Sequence, residues 1–186
     1  MKKFLGLIIG GGLLLFVFII FMMYRSNFNT ANDYQKAVDN AWGDVQSSYQ
    51  RRADLVPQLV ATVKGAAENE RGILTAVTQA RAGIVNAKSP EDMEIMGKKI
   101  NTAINLAFEA YPQIRSTENF QALQAQLEGT ENRINFARDK YNETVATYNA
   151  HISGFLNEML LNKTRFPQKD SFKAAAGSEK APEVKF

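Results

Sequence analysis

The chain has 186 residues, 22 Lys and Arg against 19 Asp and Glu, and no cysteine. Without cysteine there is no disulfide framework, no lipid-attachment thiol and no thiolate chemistry. A net charge of +3 with no basic run offers no face for DNA or RNA, so nucleic acid is not an expected partner.

The first element runs from Phe4 to Tyr24 without a charged or amide side chain. At about 1.5 Å per residue, a helix of that length matches the roughly 30 Å hydrocarbon core of a bilayer. The stretch is longer than the apolar region of a secretory signal and no A-x-A-like cleavage site follows it, so residues 1–26 read as a retained signal anchor. Lys2 and Lys3 precede the span, while Arg25 and then Lys36 follow it. That bias places the N-terminus in the cytoplasm. The expected location is a membrane crossed once, with the rest of the chain outside the cytoplasm.

After the span the charges nearly balance, and residues 27–165 are enough for one domain with a substantial core. Proline is excluded from helix interiors, so Pro57, Pro90, Pro112, Pro167 and Pro182 punctuate the remainder. Between them the sequence is rich in Ala, Gln, Glu, Asn and Leu, with no alternating strand pattern. Val38, Trp42, Val45 and Tyr49 form one apolar stripe. Val56, Leu59, Val63, Ala66, Ile73, Val77, Ala80 and Ile84 form a second, ending at Ser89-Pro90, where Ser89 is placed to cap a helix and Pro90 to occupy its first position.

The longest stripe is Phe120, Leu123, Leu127, Ile134, Ala137, Tyr141, Val145, Tyr148, Ile152, Phe155 and Met159. Asp54 and Pro57 read either as the start of a new helix or as a kink in a continuous one. The restart gives four helices, at about 28–51, 54–88, 90–110 and 117–162. Each face must be buried and the loops are short, so the expected fold is all-α: an N-terminal transmembrane helix followed by an up-and-down antiparallel four-helix bundle.

A resemblance enters with particular residues. Tyr49-Gln50-Arg51-Arg52-Ala53-Asp54-Leu55-Val56-Pro57-Gln58-Leu59-Val60, then Val63-Lys64-Gly65, Glu70, Ala80-Arg81, Tyr111-Pro112, Thr130-Glu131-Asn132, Ala137-Arg138, Tyr141-Asn142 and Tyr148-Asn149 resemble the LemA family of bacterial proteins. The likeness covers essentially everything after residue 30 and includes Phe172, Pro182, Val184 and Phe186 near the end. It departs at Leu156-Asn157-Glu158, which replaces an expected Pro-containing turn and suggests that the last helix continues. The resemblance implies an N-terminal anchor and a helical bundle with no established enzymatic activity, and it supplies no catalytic residues.

The residues themselves give no catalytic or metal site. His151 is the single histidine and has no carboxylate three residues before it, so the Glu-x-x-His pairs of di-iron bundles are missing. Gly10-Gly11-Gly12 lies within the apolar span and is no phosphate loop. No cofactor is expected. Charged groups on apolar stripes say more. On a continuous second helix, Glu70 and Arg81 fall near the middle of the apolar arc and should be partly buried. Glu131, Arg138, Asn142 and Asn149 are spaced by seven, four and seven residues, which makes a polar ladder beside the apolar face of the last helix.

A satisfied polar network that fixes helix register is one reading of these groups, and a polar groove for a small ligand or a reaction is the other. Pairing Arg81 with Glu131 and Glu70 with Arg138 needs two different residue offsets between parallel helices. One of these groups must therefore look to the first or third helix. Arg51, Arg52 and Asp54 read as a helix-junction cluster in which Asp54 caps the next helix and the guanidiniums bond chain-end carbonyls. Residues 166–186 lose periodicity and read as a flexible tail, whose Phe166, Phe172 and Phe186 favour docking. The expected function is a structural or protein-interaction module of the envelope, self-associating or binding other envelope proteins. The alternative is a small-ligand or catalytic domain built on the polar cluster.

Overall fold

The computed structural model describes residues 2–62, 67–110 and 118–173. Every regular element among them is helical: α1 (Lys2–Thr62), α2 (Ala67–Asn86), α3 (Pro90–Ala110), α4 (Glu118–Ile152) and α5 (Phe155–Leu160). The start of α3 follows from local chemistry. Ser89 Oγ accepts the amide of Asp92 at 3.1 Å, and Asp92 returns a carboxylate oxygen to the Lys88 amide at 3.2 Å. This reciprocal cap, with Pro90 in the first turn, satisfies two amides that a helix start leaves without partners. It also holds the Asp92 carboxyl below its ordinary range, chiefly through the Ser89 hydrogen bond.

Helix α1 corrects the expected restart at Asp54. It runs 61 residues with Pro57 inside it. A proline there costs roughly 3 kcal/mol through its missing N–H and its clash with the preceding turn. Breaking the helix would cost more, because Ala53, Leu55 and Val56 are at most 8% exposed on that stretch and each buried Leu or Val is worth about 1.5–3 kcal/mol. Val63 and Ala66 of the expected stripe lie outside the described residues. So does the Tyr111-Pro112 link.

The chain divides into two compact units, one of Met1–Asn40 with Thr144–Lys169 and one of Ala41–Glu143 with Asp170–Phe186. In the second unit, Gln46 reaches the Ile84 carbonyl while Asp54 meets Arg81, so α1 and α2 are antiparallel. Helices α2 and α3 fold back across 87–89 and approach closely where Gly83 faces Met96. Tyr49 packs on Gly97 and Arg52 bonds Asn101, so α3 runs parallel to α1; Trp42 on Tyr141 and Arg52 on Glu131 make α4 antiparallel to it. This is the up-and-down order. Its core includes Val45, Tyr49, Val56, Val77, Ile84, Met93, Ile100, Ile134 and Tyr141.

In the first unit, α1 carries one candidate membrane span among the described residues, and every side chain from Leu13 to Tyr24 is 41% to 72% exposed. The same helix continues without a loop to meet α4, with Tyr34 edge-on to His151 at 5.2 Å and the Asn27 carbonyl 3.3 Å from its ring nitrogen. The lone histidine is thus a packing residue. Helix α4 ends at Ile152, not near 162, because Gly154 takes extended backbone (φ −62°, ψ 141°) and opens the six-residue α5. The apolar stripe stops there too: Leu123 through Ile152 are buried, whereas Phe155 and Met159 are exposed.

Helix packing on α3 depends on Gly97, where an added Cβ would lie 2.6 Å from Tyr49 Cε1, while one at Gly43 would meet nothing within 4 Å. Gly97→Ala is expected to destabilise the bundle by about 1–3 kcal/mol, since the buried Tyr49 ring has no room to retreat. Gly43→Ala should instead gain about 0.5–1 kcal/mol from helix propensity. Chemical unfolding of both variants checks the pair; equal effects would mean that Tyr49 does not pack on α3.

Candidate functional site

Two arginines in the second unit organise its polar side chains. Arg52, with a side chain only 12% exposed, makes a 2.8 Å ion pair with Glu131 and donates to Asn101 Oδ1 at 3.1 Å and to the Leu127 carbonyl at 3.0 Å. One guanidinium therefore ties α1 to α3 and α4. Its planar fork suits several fixed acceptors at once. Arg138 on α4 pairs with Glu94 on α3 at 2.9 Å, donates to the Lys173 carbonyl at 3.3 Å and lies 4.7 Å from the centre of the Phe172 ring. Burial raises the Tyr49 phenol above its ordinary range; the Arg138 charge opposes this, and Glu131 and Glu94 add to it.

The asparagines act on the chain that follows α5. Asn142 donates to the Phe172 carbonyl at 3.1 Å and accepts the Phe172 amide at 2.8 Å, the two-sided bond by which an amide side chain imitates a strand neighbour. Beside it Tyr141 donates to the Asp170 carbonyl at 3.1 Å, and Trp42, Tyr141 and Phe172 pack ring against ring. In the first unit the same dipeptide recurs. Asn149 donates to the Lys169 carbonyl at 2.8 Å and accepts its amide at 3.0 Å, while Tyr148 donates to the Pro167 carbonyl at 2.9 Å. Burial, with Asp39 second, raises the Tyr148 phenol and favours this donor state. Within its own unit, each Tyr-Asn pair thus grips the chain that follows α5 by two bonds from the Asn and one from the Tyr.

The polar groups of α4 meet partners, and of the groups weighed in the sequence Arg81 looks to the first helix and Arg138 to the third. Arg81 pairs with Asp54 on α1 at 2.8 Å, Glu131 with Arg52 and Arg138 with Glu94. Arg81 is not buried; its side chain is 51% exposed. The expected arc joined residues before and after 63–66 as one helix, and α2 alone buries Ile73, Val77, Ala80 and Ile84, a face that Arg81 only flanks. The junction cluster is also corrected, since Asp54 caps nothing and sits within α1. Glu70 is on α2, with its side chain outside the described residues. Phe166 and Phe172 are buried and residues 166–173 are docked; Phe186 lies outside the described residues.

Arg51 faces elsewhere. With Ser47, Ser48, Arg133, Phe136 and Lys140 it lines an open groove of about 240 Å³ in the second unit, where the Asp44 carboxylate is 3.2 Å from Lys140. Phe136 is 72% exposed there, so cations and one aromatic ring face solvent together. Phe136 was missed in the sequence reading because it stands off the apolar stripe, and that displacement was itself the available signal. Among the described residues, no three His, Asp or Glu side chains gather at metal-binding distance.

The family model described as LemA family matches residues 41–186. A curated relative, Protein LemA of Metamycoplasma hominis, is 22% identical over 149 residues, covering 78% of this chain and 68% of the relative.

If the Tyr-Asn pairs hold the strap, Asn142→Ala loses both bonds to Phe172 and is expected to cost about 1–2 kcal/mol. It should also speed limited proteolysis after Lys169 or Lys173. Arg81→Ala, whose pair is half exposed, should change stability by less than about 0.5 kcal/mol. A cleavage rate in Asn142→Ala equal to that of the parent chain would show that the strap is held by other contacts.

Proposed function

The chain belongs to the LemA family, and from that premise we propose that it is a membrane-anchored structural and protein-interaction module of the bacterial envelope, with no catalytic role. The observation that carries this reading is the engagement of its polar groups. Arg52, Arg138, Glu94, Asn142 and Asn149 each hold helices or the strap, so the groups that a reaction would draw on are bonded within the fold. What remains on offer is surface: the groove with Arg51, Arg133 and Phe136, which suits a partner segment carrying carboxylates beside an apolar side chain.

The Lys2-Lys3 bias supports a bundle outside the cytoplasm, anchored by the Phe4–Tyr24 span. Anchoring confines copies and partners to one plane and raises their effective concentration, so modest contacts suffice for assembly. Gly10, Gly11 and Gly12 leave the span open to close approach by a second helix.

Protease added to intact spheroplasts is expected to digest the bundle, and crosslinking in native membranes to give species above the monomer. Arg51→Glu with Arg133→Glu should remove part of that ladder without changing the melting temperature, both residues being exposed. A bundle protected until the membrane is opened would reverse the orientation. A chain that yields no crosslinked species in native membranes would contradict the interaction reading.

A further inference from the structure

Helix α5 presents an apolar face that the protein does not cover. Phe155 is 82% exposed, Met159 70% and Leu156 46%, and none of its six residues is buried. At 100° per residue, Phe155, Met159, Leu156 and Leu160 share one arc of about 140°, with Asn157 and Glu158 opposite. Asn157 turns inward and donates to the His151 carbonyl at 2.8 Å, while Glu158 pairs with Lys163 at 2.7 Å. The polar side is therefore engaged and the apolar side free. A helix this short is marginal without a surface to lie on.

Its position within the first unit says which surface. Helix α4 descends antiparallel to α1 until His151 meets Asn27, three residues or about 4.5 Å of rise beyond Tyr24, the last residue of the apolar span. The returning chain starts upward at Phe166, which packs edge-on to Phe28 at 5.4 Å, and continues through Pro167 and Lys169 on Tyr148 and Asn149. Residues 153–165 are thus the turnover at the end of the unit where the span begins. The Arg165 guanidinium lies 4.7 Å above the Phe28 ring at that level. With Tyr24 and Arg25, this gives the mixture of aromatic and basic residues that settles at a membrane interface.

We propose that α5 is a second membrane contact, with Phe155, Leu156 and Met159 lying in the headgroup–acyl boundary of the leaflet from which the span emerges. The proposal rests on the span being a membrane anchor. With two contacts, the first unit is held at a fixed tilt to the bilayer instead of swinging on a single helix.

The absence of cysteine makes site-directed spin labelling direct. Single cysteines at Met159, at Leu14 in the span and at exposed Phe136 in the other unit would carry nitroxides on the full chain. The chain would be reconstituted in phosphatidylcholine–phosphatidylglycerol vesicles. The Met159 label is expected to lose collisions with a water-soluble nickel chelate and to keep those with oxygen, as the Leu14 label does, while the Phe136 label stays open to the chelate. A Met159 label as open to the chelate as Phe136, with Leu14 still buried, would overturn the proposal and leave the anchor intact. An open Leu14 label would remove both. Dipolar broadening at Met159 that disappears on dilution with unlabelled chain would show that a second copy covers the face, which also overturns the lipid assignment.

Discussion

A guanidinium that is nearly nine-tenths withdrawn from water must find acceptors, and Arg52 finds them on two other helices. Apolar stripes alone allow neighbouring helices to slide by a turn, because Leu, Val and Ala faces repeat every three to four residues. A buried charge does not tolerate that slip, since each displaced register leaves it unpartnered at a cost of several kcal/mol. Arg52 sets α1 against α3 and α4; Arg138 sets α4 against α3 and carries the restraint to the strap through Phe172 and Lys173. Much of the order in the second unit follows from these two residues.

That economy bears on function. Arg52, Arg138, Asn142 and Asn149, which look like a site in the sequence, are engaged within the fold, while the exposed surface joins Arg51 to residues that looked ordinary: Arg133, Phe136, and in the other unit Phe155 and Met159. Under the proposed role, specificity would come from the shape and charge of this exterior.

The fold class, the candidate span, the Ser89-Pro90 cap and the buried positions of α4 from Leu123 to Ile152 were legible because each rests on local chemistry or helical periodicity. Their place beside an apolar stripe marked Glu131 and Arg138 as polar groups close to the core. The pairings were not legible, because they depend on which helices adjoin. Arg81 was misplaced because its arc was drawn across a helix break, and Pro57 misled because tertiary burial of Leu55 and Val56 outweighs a local penalty. The double Tyr-Asn clamp was visible as a seven-residue repeat, yet its target is extended backbone, which carries no sequence signature. Gly154 ended α4 early for a similarly local reason, where the apolar spacing alone ran on to Met159.

The account turns on whether the buried arginines are structural ties, and a double-mutant cycle on Arg52 and Glu131 tests that most directly. Chemical unfolding of Arg52→Met, Glu131→Gln and the double variant gives their coupling. The account predicts a loss of about 1–3 kcal/mol for Arg52→Met and a favourable coupling near 1 kcal/mol, reduced from a fully buried pair because Glu131 is 45% exposed. Unchanged stability in Arg52→Met, with zero coupling to Glu131, would contradict it and return these residues to the role of a binding site.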